Sequence, residues 1–216
     1  MITHSSLYFG GIMKKLNREF YNRDSVTVAK ELLGKYLVHV VEGEKLIGKI
    51  AEVEAYMGPT DKAAHSYNNR RTERNEIMYG GPGYSYVYII YGMYNCMNVV
   101  VEEPEKPQAI LIRALEPVEG MESMSKFRYE KELEQLTKRE KLGLTSGPGK
   151  LCRALNIDRS HNGLDLCGDE LYILHDDNEE SFEIVATTRI NIDYAEEAKD
   201  FLWRFYIKNN PYVSKK

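Results

Sequence analysis

Three polar-tipped side chains, those of Glu52, Glu54 and Tyr56, alternate along one strand-prone segment of the chain. Because side chains in a strand repeat with a period of two, all three point to the same face. A carboxylate beside a phenol ring suits acid–base chemistry, and two carboxylates could serve as a glycosidase pair. The same pattern also fits the solvated face of an edge strand, and the local sequence alone favours that simpler interpretation.

A second segment, residues 84–98, contains two aromatic and β-branched runs about a central Tyr91-Gly92-Met93, and it predicts a β-hairpin. Hairpin tips are usually built from Asn, Asp and Gly, whereas here Gly92 lies between two large apolar side chains. Such a tip suits insertion between stacked bases, with neighbouring rings receiving a base that has left the stack. Taken alone, the hairpin favours an ordinary explanation, in which its tip packs beneath another loop.

The overall composition predicts one domain with its own core. The chain has 216 residues, of which 43% are hydrophobic and 29% are charged. We expect residues 13–216 to form this domain, and residues 1–12 to be a disordered leader, an alternative start or an expression remnant. The formal net charge of −4 counts weakly against a nucleic-acid partner, although basic residues still cluster locally.

Cysteine and histidine spacing argues against a disulfide framework and against a metal site. The three cysteines are odd in number and far apart, which fits a reducing compartment. The chain has no Cys-x-x-Cys or His-x-x-x-His pair, and its five histidines are scattered singly. No apolar run approaches the roughly 20 residues that span a bilayer. We therefore expect no metal, no cofactor and no membrane association.

The pattern of caps, apolar stripes and turns predicts an α+β fold. Its centre would be a mainly antiparallel curved sheet with flanking helices and a protruding aromatic β-hairpin. Residues 57–83 read as a long loop with one helical turn near 61–65. The other predicted elements are a helix at 24–34, strands at 35–41, 46–55, 109–115, 171–175 and 182–188, a helical stretch at 126–141, and a helix starting at 146–150.

Four segments together resemble the alkyladenine (3-methyladenine) DNA glycosylase family. They are residues 52–66, 86–98, 111–117 and 146–151, and the resemblance runs in order from about residue 16 to 214. It implies that Glu54 is the general base that activates the water attacking the sugar C1′. It also implies that Arg113 helps to position this water beside the carboxylate.

The same resemblance implies roles for the aromatic residues. Tyr56, His65 and Tyr88 would enclose the flipped base, and Asn98 would hinder normal guanine through its exocyclic amino group. Tyr91 would fill the gap that the base leaves in the duplex, with Met93 beside it at the tip. The candidate phosphate contacts are basic residues before the hairpin and at the predicted helix start: Arg70, Arg71, Arg74 and Lys150.

The implied activity is that of a monofunctional glycosylase, since no Schiff-base lysine lies in the matched segments. Its substrates would be 3-methyladenine and 7-methylguanine in double-stranded DNA, with hypoxanthine and ethenoadenine as further candidates. We expect a monomer in the cytoplasm, near the nucleoid in a prokaryote or in the nucleus of a eukaryote. A module that binds damage without excision, and a glycosidase using Glu52 and Glu54, remain the alternatives.

Two segments depart from the family pattern. Residues 67–76 keep their arginines but add acidic side chains, and residues 189–197 match the last pocket-lining loop of the family only loosely. The first departure bears on DNA affinity, and the second bears on substrate range.

Overall fold

The computed structural model describes residues 12–178 and 181–215, so the predicted leader at 1–12 lies almost entirely outside the described residues. Within the described part, β-branched and aromatic runs form the strands of one antiparallel sheet. The strands are β1 (Met13–Lys15), β2 (Tyr36–Val41), β3 (Glu44–Tyr56), β4 (Ser85–Ile90), β5 (Tyr94–Val101), β6 (Gln108–Glu119), β7 (Leu171–Asp176), β8 (Ile184–Thr187) and β9 (Arg204–Ile207).

The long strand β3 lies at the centre of this sheet. The strand order is β1-β7-β2-β3-β6-β5-β4, and β9 pairs with both β3 and β8. The first half of β3 pairs with β2 and its second half pairs with β9, while β6 runs along the other edge. Residues on the second half of β3 therefore have strand neighbours on both sides.

Register shifts between β3 and β6 change which face each side chain occupies. Glu52 pairs with Ala114 whereas Val53 pairs with Ile112, so Arg113 is the extra residue of a β-bulge. Such bulges bend a strand and re-aim a side chain. Here the bulge turns the Arg113 side chain away from the core that contains Ile112. The side chain points instead to the face of β3 that carries the Glu52 and Glu54 carboxylates.

Helices pack on one face of the sheet and close the main core. Asp24 caps the second helix through its side chain, as the sequence predicted, and Val28, Ala29 and Leu32 form the buried stripe. The helices are α1 (Arg18–Tyr21), α2 (Ser25–Leu32), α3 (Met121–Tyr129), α4 (Lys138–Gly143) and α5 (Pro148–Ala154). Helix α2 packs on β3, and α5 packs on β5 and β6.

The structure confirms the α+β sheet and the hairpins but corrects two helical predictions. No helical turn forms at 61–65. The predicted loop at 57–83 instead contains three 3-10 helices, Gly58–Thr60, Tyr67–Asn69 and Glu73–Tyr79. The stretch 126–141 is not one helix, because Glu130 adopts a left-handed φ of 57° that ends α3. Thr137 then caps a separate helix through its side chain.

No helix among the described residues is long and apolar enough to cross a bilayer. The three cysteines are free thiols, and Cys96 and Cys152 are buried.

Candidate active site

The carboxylate of Glu54 is fully buried and accepts three hydrogen bonds. The donors are the Tyr56 hydroxyl at 2.9 Å, the Arg113 Nη1 at 3.2 Å and the backbone N–H of Ile190 at 2.7 Å. An ionised carboxylate offers about four acceptor positions. About one position therefore stays open, facing no donor among the residues described, and all three donor residues line a cavity beside it.

The neighbouring Glu52 is also fully buried, and it accepts four hydrogen bonds. On Oε1 the donors are Arg113 Nε at 2.9 Å, Arg204 Nε at 2.7 Å and the Ser214 hydroxyl at 3.0 Å. On Oε2 the donor is the backbone N–H of Ser214 at 2.6 Å. Glu52 therefore holds Arg113 in place, and Arg113 is the one of its partners that lines the cavity.

Two carboxylates and two arginines thus balance in charge within this buried group. Burial lowers the pKa of Arg113, but attraction to Glu54 and Glu52 outweighs it and leaves the pKa raised. The interpretation of Glu52 and Glu54 as the solvated face of an edge strand is wrong. Strands on both sides of β3 and the bulge at Arg113 remove this face from water.

Aromatic rings enclose the cavity, which has a volume of about 290 Å³. Strand alternation places Tyr86, Tyr88, Cys96 and Asn98 on its wall, while Val87 and Met97 point into the core on the other face of the hairpin. The aromatic and imidazole rings that line the cavity are those of Tyr56, His65, Tyr86, Tyr88, Tyr91, Tyr94 and Tyr194.

His65 is held as a neutral ring on this wall. Its Nδ1 lies 2.8 Å from the Tyr86 hydroxyl, and its ring centroid lies 4.7 Å from that of Tyr88. Burial, together with the charges of Arg74 and Arg70, lowers the pKa of His65 to about 4. The cavity therefore presents an uncharged imidazole at neutral pH.

The hairpin tip is exposed. Tyr91 is 73% exposed and Met93 is 68% exposed, so the tip does not pack beneath another loop of the described chain. Tyr91 and Gly92 both have positive φ, 53° and 69°, as a type I′ turn requires. A bulky residue rarely adopts this conformation, which places about 1 kcal/mol or more of backbone strain at the tip.

Strict strand alternation predicts that Tyr88 and Tyr91, which are three residues apart, point to opposite faces. The structure shows that both border the same cavity. Alternation does not extend to Tyr91 because β4 ends at Ile90, and the left-handed turn redirects the next side chain.

Two further residues, Asn98 and Gly149, complete the cavity wall next to the hairpin. The Asn98 amide donates to the backbone oxygen of Tyr86 at 2.9 Å, which fixes this side chain against the wall. Gly149, from the glycine-rich start of α5, also lines the cavity. A Cβ on Gly149 would lie 2.9 Å from the Cβ of Tyr94, so a glycine there allows α5 to approach the hairpin.

The predicted phosphate contacts differ in their availability. Arg70 and Arg74 are exposed, and neither forms an ion pair with a carboxylate of residues 12–178 or 181–215; Arg74 lies over the Tyr88 ring at 4.7 Å. Arg71 instead pairs with Glu76 at 2.5 Å and Glu105 at 2.9 Å. Lys150 is exposed in the first turn of α5, and partial burial together with Arg128 and Arg139 lowers its pKa.

The sequence pointed only loosely to a further segment that lines the cavity, residues 189–197, and none of its residues was predicted as a site residue. Arg189 is buried and pairs with buried Asp61 at 2.5 and 2.8 Å, and it donates to the backbone oxygen of Ala55 at 3.0 Å. This anchor places Ile190 against Glu54 and brings Tyr194 to the cavity rim. The available signal was the run Arg189-Ile-Asn, whose resemblance to the family was loose.

A buried carboxylate beside an aromatic cavity and an exposed apolar hairpin tip are together typical of a DNA glycosylase. The model of the methylpurine-DNA glycosylase family matches residues 19–211. The chain belongs to this family.

Relatives from several bacteria match almost the whole chain. A protein of Alkaliphilus oremlandii (strain OhILAs) is 61% identical over 202 residues, covering 94% of this chain and 100% of its own length. One of Clostridium novyi (strain NT) is 62% identical over 205 residues, with the same coverage. One of Bacillus cytotoxicus is 58% identical over 200 residues, covering 91% of this chain and 97% of its own. All three are provisionally named 3-methyladenine DNA glycosylase.

Proposed function

We propose that this protein is a monofunctional DNA glycosylase that flips damaged purines out of duplex DNA and hydrolyses their N-glycosidic bond. The proposed substrates are 3-methyladenine and 7-methylguanine, with hypoxanthine and ethenoadenine as further candidates. One observation carries the proposal: Glu54 is the buried carboxylate whose three hydrogen-bond partners all line an aromatic cavity.

The chemistry follows from the surroundings of Glu54. A purine alkylated at N3 or N7 is cationic and leaves readily, so the protein mainly has to place a water molecule and accept its proton. Glu54 would accept that proton, and its negative charge would stabilise the sugar cation that develops as the bond breaks. Arg113, clamped between Glu52 and Glu54, would hold the carboxylate in a fixed orientation.

The cavity supports the base-flipping step energetically. Extruding a base costs a few kcal/mol, and stacking on aromatic side chains returns about 1–3 kcal/mol per base. Tyr56, His65 and Tyr88 provide the rings, and Tyr91 projects beside them as a wedge for the vacated gap. Exposed Arg70, Arg74 and Lys150 would contact phosphates.

Base release from duplex DNA tests the proposal directly. The wild-type protein should release free 3-methyladenine or 7-methylguanine, and Glu54→Gln should lower the single-turnover rate by about 100-fold or more while lesion binding persists. Glu119→Gln, at the end of β6 and outside the cavity lining, is the matched control and should retain wild-type activity. Equal release by Glu54→Gln and wild type would refute the assigned mechanism.

Two other functions predict different results. A damage-binding module would bind the lesion duplex without releasing base. A glycosidase pair would hydrolyse simple glycosides and would need Glu52 to reach the substrate, but Arg204 and Ser214, which hold Glu52, are not among the residues that line the cavity. The placement of Glu52 among these partners disfavours the second alternative.

We further propose that the protein acts as a monomer on double-stranded DNA, in the cytoplasm near the nucleoid. The exposed tip and the basic residues near it support a DNA-facing surface. Analytical ultracentrifugation with and without a lesion duplex should give one protein chain per DNA.

A further inference from the structure

Three potential metal ligands from separate segments meet outside the proposed active site. They are His39 of β2, His161 of the 3-10 helix Arg159–His161, and Glu170, which precedes β7. One ligand atom of each lies within 4.8 Å of the other two. Backbone pairing brings the first and third together, because Val40 N donates to Glu170 O at 2.8 Å.

The hydrogen bonds of His39 prepare its ring for metal binding. His39 Nδ1 lies 2.6 Å from the backbone oxygen of Leu155. A carbonyl oxygen can only accept, so Nδ1 carries the proton and Nε2 keeps its lone pair. His39 is only 2% exposed, and its Nε2 is the ring atom that a metal ion could bind.

His161 has a carboxylate at its other nitrogen. Its Nδ1 accepts the backbone N–H of Asp158 at 3.1 Å and also lies 3.1 Å from Asp158 Oδ1, while its Nε2 lies 3.9 Å from Glu170 Oε1. Binding of a metal ion at Nε2 would move the ring proton to Nδ1, where Asp158 Oδ1 is placed to accept it. Metal-binding histidines characteristically donate their second N–H to a carboxylate or a backbone carbonyl.

We propose that His39, His161 and Glu170 form a binding site for Zn²⁺. Two imidazoles and one carboxylate form a ligand set that zinc uses, with a fourth position left for water. The two nearby carboxylates, of Glu170 and Asp158, would neutralise the charge of the ion. The missing Cys-x-x-Cys and His-x-x-x-His pairs exclude only ligands that are close neighbours along the sequence. His39 and His161 are 122 residues apart, and His161 and Glu170 are 9 residues apart, so these ligands meet only through folding.

The site requires a small adjustment to close around an ion. Zinc bonds of about 2.0–2.1 Å place tetrahedral ligand atoms about 3.3 Å apart. The ligand atoms here lie up to 4.8 Å apart, so they must approach by about 1.5 Å or less. The Glu170 side chain is 60% exposed and can make this movement, while His39 stays fixed in the core.

A bound ion would have a structural effect. It would join β2, the start of β7 and the segment around His161. Ser85 of β4 donates its hydroxyl to the backbone oxygen of His161, and Val87 N donates to Asn162 Oδ1. The ion would therefore stiffen the base of the β4–β5 hairpin from the side remote from its tip.

Zinc titration of the full chain tests the site. After treatment with a chelator, the protein is titrated with Zn²⁺ in competition with a chromophoric chelator, and thermal unfolding is followed with and without the metal. We expect one high-affinity ion per chain and a higher Tm, because a ligand that binds only the folded state stabilises it. Glu170→Gln and His161→Gln should each weaken binding at least about tenfold.

Two histidine controls locate the ion. His175→Gln removes a histidine outside the cluster, and His65→Gln removes the imidazole of the active-site cavity. Both should bind zinc as the wild type does. Absence of a saturable site, unchanged affinity in Glu170→Gln and His161→Gln, or loss of binding in His65→Gln would each overturn the proposal. Because Glu170 is exposed, its variant leaves the core intact.

Discussion

At the scale of single residues, the hydrogen-bond partners separate two otherwise similar carboxylates. Glu52 and Glu54 are two residues apart, equally buried and bound to the same arginine. All three partners of Glu54 line the cavity, whereas the remaining partners of Glu52, Arg204 and Ser214, do not. This difference in partners is the physical basis for assigning one residue to support and the other to catalysis.

His65 should make the stability of the protein depend on acid pH. Its pKa is about 4 in the folded protein and 6.5 ordinarily, so between these values the unfolded chain binds a proton that the folded chain does not. The free energy of unfolding should therefore decrease as pH falls through this window, by about 1–3 kcal/mol from this group.

Urea unfolding above pH 6.5 and near pH 4, on wild type and His65→Gln, isolates this contribution from those of the carboxyl groups. The decrease should be smaller in the variant. A decrease of the same size in both proteins would contradict the assignment of this histidine as a buried neutral ring.

At the scale of elements, the β4–β5 turn combines local strain with an exposed wedge. Tyr91→Asn should preserve or raise stability by about 0.5–1 kcal/mol, since Asn tolerates positive φ better than Tyr does. The same change should weaken binding to a lesion duplex, because it removes the ring that would fill the gap. Urea unfolding and fluorescence-anisotropy binding measure the two effects.

Glu42→Asn provides the matched control for this turn. Glu42 has a φ of 50° in the tight turn between β2 and β3, away from the cavity. Its replacement should change stability in the same direction and leave DNA binding unchanged. Full lesion binding by Tyr91→Asn would argue against the wedge role.

The segment that follows β8 depends on one buried ion pair. Asp61→Asn should destabilise the protein by about 3–5 kcal/mol, because it leaves Arg189 charged and without its partner in the interior. Base release should also decrease, since the pair positions Ile190 against Glu54. Chemical denaturation and single-turnover excision measure these effects.

Lys62→Gln is the control for that ion pair. Lys62 joins the same two segments through Glu196 and Glu197, but these contacts are exposed and should contribute little. An Asp61→Asn protein as stable and active as Lys62→Gln would show that the buried pair has no positioning role.

Local patterns predicted the elements whose residues pair with near neighbours, and they failed where distant contacts decide the structure. The two hairpins and helix α2 follow from alternation, turn residues and an Asp cap. The 3-10 helices at 58–79 do not follow from such local patterns. Their first turn depends on Asp61, whose carboxylate binds Arg189 at a distance of 128 residues along the chain. The bulge that aims Arg113 also leaves no local signature, since it is a property of strand register.

At the scale of the whole molecule, net charge is a poor guide to the DNA-facing surface. The chain carries a net charge of −4, yet Arg70 and Arg74 border a depression of about 280 Å³ that adjoins the cavity and shares His65 and Tyr194 with it. Acidic residues distributed elsewhere do not cancel a local positive rim, because screening limits their reach to about 10 Å.

Salt dependence of DNA binding should reveal which arginines meet phosphate. Arg70→Gln and Arg74→Gln should each reduce the slope of log Kd against log salt by about one. Arg71→Gln is the internal control and should change the slope less, because Glu76 and Glu105 already neutralise Arg71. Equal slopes for all three variants and wild type would remove these residues from the phosphate contacts.

The low reactivity of the buried thiols would protect a protein with the proposed function. Burial raises the pKa of the Cys96 thiol to about 11 and raises that of Cys152 as well. A protonated thiol is a weak nucleophile. Methylating agents that damage purines also attack thiolates, so a repair protein with a reactive cysteine in its cavity would be inactivated by the chemicals whose damage it removes. A protonated Cys96 would make the cavity resistant to inactivation by these methylating agents.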